Sequence, residues 1–175
     1  MWGIALTVGC VRADGASLYR VSPRAPSADW SPQRVGGHEL DLRHARHGGH
    51  LWVRVVELSE DELTMTTEEF ARAYLRRSNQ AWWGAAQSEL RDDAPGTVAG
   101  APAHFLLVDG RDDQRAVWAI VRGPATRLER HGDRSRRAPV ALLVGYEAPR
   151  QDFERALPDY AAFLESIHFD EERSP

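Results

Sequence analysis

Between residues 103 and 148 the chain carries three apolar runs, "AHFLLVDG", "RAVWAIVRG" and "APVALLVGYEA". Each has the length of a strand and is rich in β-branched or aromatic residues. Asp109-Gly110 opens a turn between the first two. Strands joined by short turns pair antiparallel, so this stretch commits the chain to an antiparallel sheet that other elements must cover.

Upstream, Leu40, Leu42 and His44 alternate with Asp41 and Arg43, the period of a half-buried strand. "LWVRVVEL" at 51–58 predicts its partner, with Gly48-Gly49 as a two-residue turn between them. A short strand is expected at 17–21, and "PSADWSP" is a turn-rich connector whose Trp30 anchors in the core. Residues 59–92 change period. Thr66 and Glu69 have the spacing of a capping box, and Phe70, Ala73, Tyr74, Ala81, Trp82, Ala85 and Ala86 recur at helical intervals. One long helix, or two joined near Ser78-Asn79, is expected to end at "RDDAPG", 91–96. A last helix, with Pro158 in its first turn, puts Tyr160, Phe163, Leu164 and Ile167 on one face. Strands, helix, strands, helix describe an α+β domain, an antiparallel β-sheet flanked by helices.

At 42% hydrophobic and 27% charged residues, 175 residues make an ordinary single globular domain. A net charge of −4 argues against nucleic acid as a partner. All 22 basic residues are arginine, which removes every lysine-dependent chemistry. The lone Cys10 can form neither an intrachain disulfide nor a thiolate zinc site. It follows "MWGIALTVG", and Val8-Gly9-Cys10 is similar to a lipobox, in which the cysteine is lipidated. The alternative for this stretch is a first strand with Cys10 buried. The expected organisation is a signal-peptide remnant, lipobox and tether over 1–16, a single domain over 17–170, and a tail over 171–175.

His38, His44, His47 and His50 form the densest group of candidate ligands. With Gly48-Gly49 as the turn, His47 and His50 share an exposed face at the hairpin tip and His44 lies on the other. Only His47 and His50 are then candidates for a metal, too few for a transition-metal site by themselves. Asp109, Asp112 and Asp113 lack EF-hand spacing and are expected in a solvated turn. The segment "PATRLERHGDRSRR", 124–137, is expected to be a solvated basic loop, and its Arg127, Arg130, Arg134, Arg136 and Arg137 could meet anionic lipid head groups. Trp82 and Trp83 cannot both face a core from one helix. With Arg134, Arg136 and Arg137 they make up the candidate contact surface. No GxSxG, HExxH, CxxC, P-loop or GxGxxG is present, and no catalytic residue or cofactor is expected.

The stretches "YRVSPRAPSADW", "GHELDLRHARHGGHLWVRVVEL", "TTEEFARAYL", "VAGAPAHFLLVDG" and the closing "FERALPDYAAFLESIHF" resemble the PsbP-like fold family. That fold is shared by DcrB-type bacterial lipoproteins and a Ran-binding nuclear-transport factor. The resemblance spans about residues 17–169. It implies an α/β/α sandwich and a role as adaptor, assembly factor or chaperone rather than an enzyme, with no catalytic residue to carry over. The expected function is that of a non-catalytic envelope lipoprotein domain, anchored to a membrane through Cys10, that binds a partner protein or envelope component. Alternatives are a cytoplasmic chaperone for secreted effectors and a metal-assisted hydrolase using His47 and His50.

Overall fold

A computed structural model describes residues 25–33, 40–81, 88–131 and 134–167. The strands are β1 (Trp30–Pro32), β2 (Leu40–His44), β3 (His50–Glu57), β4 (Glu89–Val98), β5 (Ala101–Asp109), β6 (Gln114–His131) and β7 (Arg134–Pro149). The helices are α1 (Glu60–Thr64) and α2 (Thr67–Ala81) between β3 and β4, and α3 (Arg150–Glu165) after β7. The strands form one antiparallel sheet in the order β1-β2-β3-β7-β6-β5-β4. β7 is its centre, and Val140–Tyr146 are buried on both faces.

Alternation along the strands builds two cores. One face presents Leu42, Leu51, Val53, Ala119, Val121, Leu142, Val144 and Tyr146 to α3, which covers it with Phe153, Ala156, Tyr160 and Phe163. The other presents Trp52, Leu106, Trp118, Ile120 and Leu143 to α2, which covers it with Phe70, Ala71, Tyr74 and Leu75. The result is the α/β/α sandwich expected of the sequence. Trp30 is buried, as expected, and its indole Nε1 donates to Asp159 Oδ2 at 2.8 Å, tying β1 to α3. On the α3 side the Tyr146 hydroxyl donates to the Phe153 carbonyl, and the Tyr160 hydroxyl to the Val144 carbonyl.

The capping box at Thr66 is present. Thr66 Oγ1 accepts from Glu69 N, and Glu69 Oε2 accepts from Thr66 N. Ser59 and Glu62 repeat the device at the start of α1. Three boundaries differ from expectation. The helical stretch does not run to residue 92, because Glu89–Val98 is an edge strand that contains "RDDAPG". Its side chains are mostly exposed, so backbone pairing with β5 defines it rather than an apolar period. Pro158 lies in the interior of α3, not its first turn. It is exposed, and α3 is held by the buried stripe on its other side. Residues 126–131 and 134–137 are paired strand, not loop. Cys10, the strand expected at 17–21, His38, Trp82, Trp83 and the tail lie outside the described residues.

Candidate functional site

The β2–β3 hairpin does not turn at Gly48-Gly49. The turn is Ala45–Gly48, with Gly48 at φ +62, and it closes where His44 N donates to Gly49 O at 2.8 Å. The register therefore pairs Arg43 with His50 and Leu42 with Leu51. His44 is buried beside Leu42, and its Nδ1 accepts from the backbone N–H groups of Arg46 and His47, both at 3.2 Å. Trp30 meets its ring edge-on at 5.0 Å and His47 stacks on it at 4.5 Å. Gly49 leaves room for this arrangement, since a Cβ there would lie 3.2 Å from the Trp30 ring. His47 thus belongs with His44, not with His50.

His50 is on the opposite face and is buried, not exposed. Its Nε2 lies 2.5 Å from Asp41 Oδ1, and its Nδ1 lies 4.0 Å from Glu147 Oε2. Burial pushes the His50 pKa down, against the opposing pull of Asp41 and Glu147. The two carboxylates flank opposite ring nitrogens, so they cannot join one ion through a single nitrogen of His50. Glu147 Oε1 accepts from Trp52 Nε1 at 2.9 Å. The Trp52 indole lies against the Cα of Gly145, at a place where any Cβ would overlap it. Trp118 packs edge-on to Trp52 at 6.1 Å, and its own Nε1 is buried with no hydrogen-bond partner among the described residues. Asp41, His50, Trp52, Trp118 and Glu147 thus gather on the α2 side of the sheet. Among the described residues no three His, Cys, Asp or Glu side chains are placed to share a metal ion.

Asp109 is not a solvated turn residue. It is buried at the end of β5, where Oδ1 accepts from Arg115 Nε at 2.8 Å and Oδ2 from Arg91 Nε at 2.5 Å. Arg150 Nη2 lies 3.1 Å from Oδ2. Hydrogen bonds from Arg115 and Arg91, with the charges of Arg115 and Arg150, hold the Asp109 pKa down to about 2 against its burial. This cluster fastens β4, β6 and the first turn of α3 to one carboxylate. Asp112 and Asp113 form the turn beyond it, at φ +54 and +57.

The basic segment becomes a two-stranded ribbon. β5 pairs with β6 only as far as Ala103 opposite Val121, and β3 with β7 only as far as Glu57 opposite Val140. An irregularity in register between Arg122 and Thr126 marks the exit from the sheet. Beyond it Arg127 stands opposite Ala138, Leu128 opposite Arg137, Glu129 opposite Arg136, Arg130 opposite Ser135 and His131 opposite Arg134. In this register no arginine stands opposite another arginine.

Neither a family model nor a curated protein matches the chain by sequence. Solved structures do match its fold. CyanoP, the cyanobacterial PsbP of Synechocystis, is similar at a TM-score of 0.58 with 13% identity, over 87% of this chain and 86% of that one. LpqN of Mycobacterium tuberculosis, described as involved in cell envelope biogenesis, is similar at 0.58 with 11% identity, over 89% of this chain and 86% of that one. The fold is therefore PsbP-like, as the sequence resemblance implied.

Proposed function

We propose that this chain is a non-catalytic domain of the bacterial cell envelope, held at a membrane by a lipid on Cys10, that binds a partner protein or envelope component. The observation that carries the reading is the PsbP-like fold it shares with LpqN, whose described role is in cell envelope biogenesis. The lipobox-like Val8-Gly9-Cys10 and the basic ribbon support it from the sequence and the sheet. The candidate contact surface is Trp82, Trp83, Arg134, Arg136 and Arg137. The test is fractionation of the protein expressed from its native locus. It should partition with the membrane fraction and into detergent, and Cys10→Ala should release it. If both forms fractionate with the cytosol, the envelope reading fails and the effector-chaperone reading replaces it.

A further inference from the structure

We infer that the turn between β2 and β3 is a proton-operated latch. The unprotonated Nδ1 of His44 holds it closed, and a proton on that nitrogen releases the turn and loosens β1.

The hydrogen bonds fix which ring nitrogen carries the hydrogen. Nδ1 accepts from the backbone N–H groups of Arg46 and His47, so it is the lone-pair nitrogen and the ring N–H is on Nε2. A second proton can go only to Nδ1. It would then set an N–H against two N–H donors, so a charged ring and the closed turn exclude each other. Because the open turn takes up the proton more readily, the closed turn is favoured above the range in which histidine ordinarily titrates. It weakens as pH falls through that range.

The surroundings offer a charged ring no compensation. His44 is buried, between the edge-on Trp30 and the stacked His47, itself able to take a proton. Both oxygens of Asp29, just before β1, accept from Arg46 at 3.2 Å. On α3, Asp159 accepts from Trp30 Nε1 and Asp152 from Arg155. On β7, Tyr146 gives its hydroxyl to the Phe153 carbonyl. Arg43, His50, Asp41 and Glu147 belong to the other face of the sheet. Among the described residues His44 has no carboxylate partner, so its ring nitrogen serves the turn alone.

What the latch holds is the edge of the sheet. β1 is three residues long and lies at the end of the strand order, with Trp30 opposite His44. Ala45 N donates to Asp29 O at 2.9 Å, and the Arg46–Asp29 ion pair repeats that tie on the outside. A protonated His44 must turn towards water. Trp30 then loses the ring it packs on, and Asp29 loses the turn that grips it. Proton uptake at one nitrogen is thereby coupled to release of an edge strand.

The test is a nitrogen-15 magnetic resonance titration of the full chain between about pH 7.5 and 5, which spans the ordinary histidine range. At the upper end the His44 ring should show Nδ1 without a hydrogen. As Nδ1 takes its proton, the amide signals of Arg46 and His47 should shift in step with it. Their hydrogen exchange, corrected for its intrinsic pH dependence, should speed up about tenfold. The Trp30 indole signal should follow. His44→Asn places an amide oxygen where Nδ1 stands, able to accept the same two N–H groups but not a proton. Its turn should stay closed across the whole range. His47→Phe keeps a ring on the stack and removes the other titrating group of the turn, and the step should persist. Four results overturn the inference: Nδ1 carrying hydrogen at pH 7.5, a His44 ring that stays neutral to pH 5, amides that ignore its protonation, or a step lost in His47→Phe. A step that survives in His44→Asn also overturns it. The wild-type titration decides the matter even if a variant fails to fold.

Discussion

Gly145→Ala is expected to be among the most damaging single-methyl changes in this protein. Gly145 sits in the central strand, between Trp52 of β3 and Trp118 of β6. A Cβ at this position would lie 2.1 Å from Trp52 Cε2 and 2.2 Å from Cζ2, far inside van der Waals contact. The backbone cannot move aside, because Val144 and Tyr146 are fully buried against α3 on the other face. The indole must therefore move. That breaks the Trp52–Glu147 hydrogen bond, worth about 1 kcal/mol, and the edge-to-face pair with Trp118, worth about 0.5–1.5 kcal/mol. Overpacking strain adds about 1–3 kcal/mol. The total is about 3–5 kcal/mol, a large part of the roughly 5–15 kcal/mol that holds a domain folded. Denaturant titration followed by tryptophan fluorescence and circular dichroism measures it. Trp52→Leu should relieve the overlap, so the double variant should be at least about 2 kcal/mol more stable than the sum of the single changes predicts. A Gly145→Ala protein within about 0.5 kcal/mol of wild type, or simple additivity with Trp52→Leu, refutes the account.

Phe163→Ala should cost about 3–5 kcal/mol in a thermal or chemical melt, because Phe163 is fully buried between α3 and the sheet. Exposed Glu165→Ala should stay within about 0.5 kcal/mol. Asp109→Asn tests the arginine cluster by pH. The folded carboxyl titrates near 2, below its ordinary 3.8, so its contribution is present above about pH 4 and is lost as pH falls towards 2. Nearly two pH units correspond to about 2–3 kcal/mol, reduced to about 1–2 because Arg91 and Arg150 are 44% and 43% exposed. The wild type should lose that much more stability than the variant between pH 5 and 2.5, and parallel curves would count against the cluster.

What could be read from the sequence divides along physical lines. β2, β3, β5, β7 and both long helices are elements that bury a face, and burial leaves a period in the sequence. β4 buries almost nothing, and its Pro95 and Gly96 suggest a break, so only its partner reveals it. The ribbon's sequence has no apolar period, and only its backbone pairing reveals it. The hairpin shows how a turn error propagates. Moving the turn from Gly48-Gly49 to Ala45–Gly48 shifts the register by an even number of residues, so His50 keeps the predicted face. His47 leaves the strand for the loop, and the expected His47–His50 pair disappears. The Asp41–His50–Glu147 arrangement was not legible, because it joins β2, β3 and β7 from far apart in the chain. The period-2 placement of Asp41 opposite Leu40 and Leu42 was its one local signal.

The strand order also dictates when this molecule can fold. β4 to β7 pair in chain order, so each hairpin can close as it is made and α3 can seal it. β3 has no partner among them until β7 exists, because residues 50–57 pair with 140–147. During synthesis the N-terminal strands, with Leu51, Trp52 and Val53 uncovered, wait for the last strand to emerge. That late, non-local closure makes the β3–β7 seam the slow step of folding. It is also the place where a stalled or truncated chain exposes an edge to other chains.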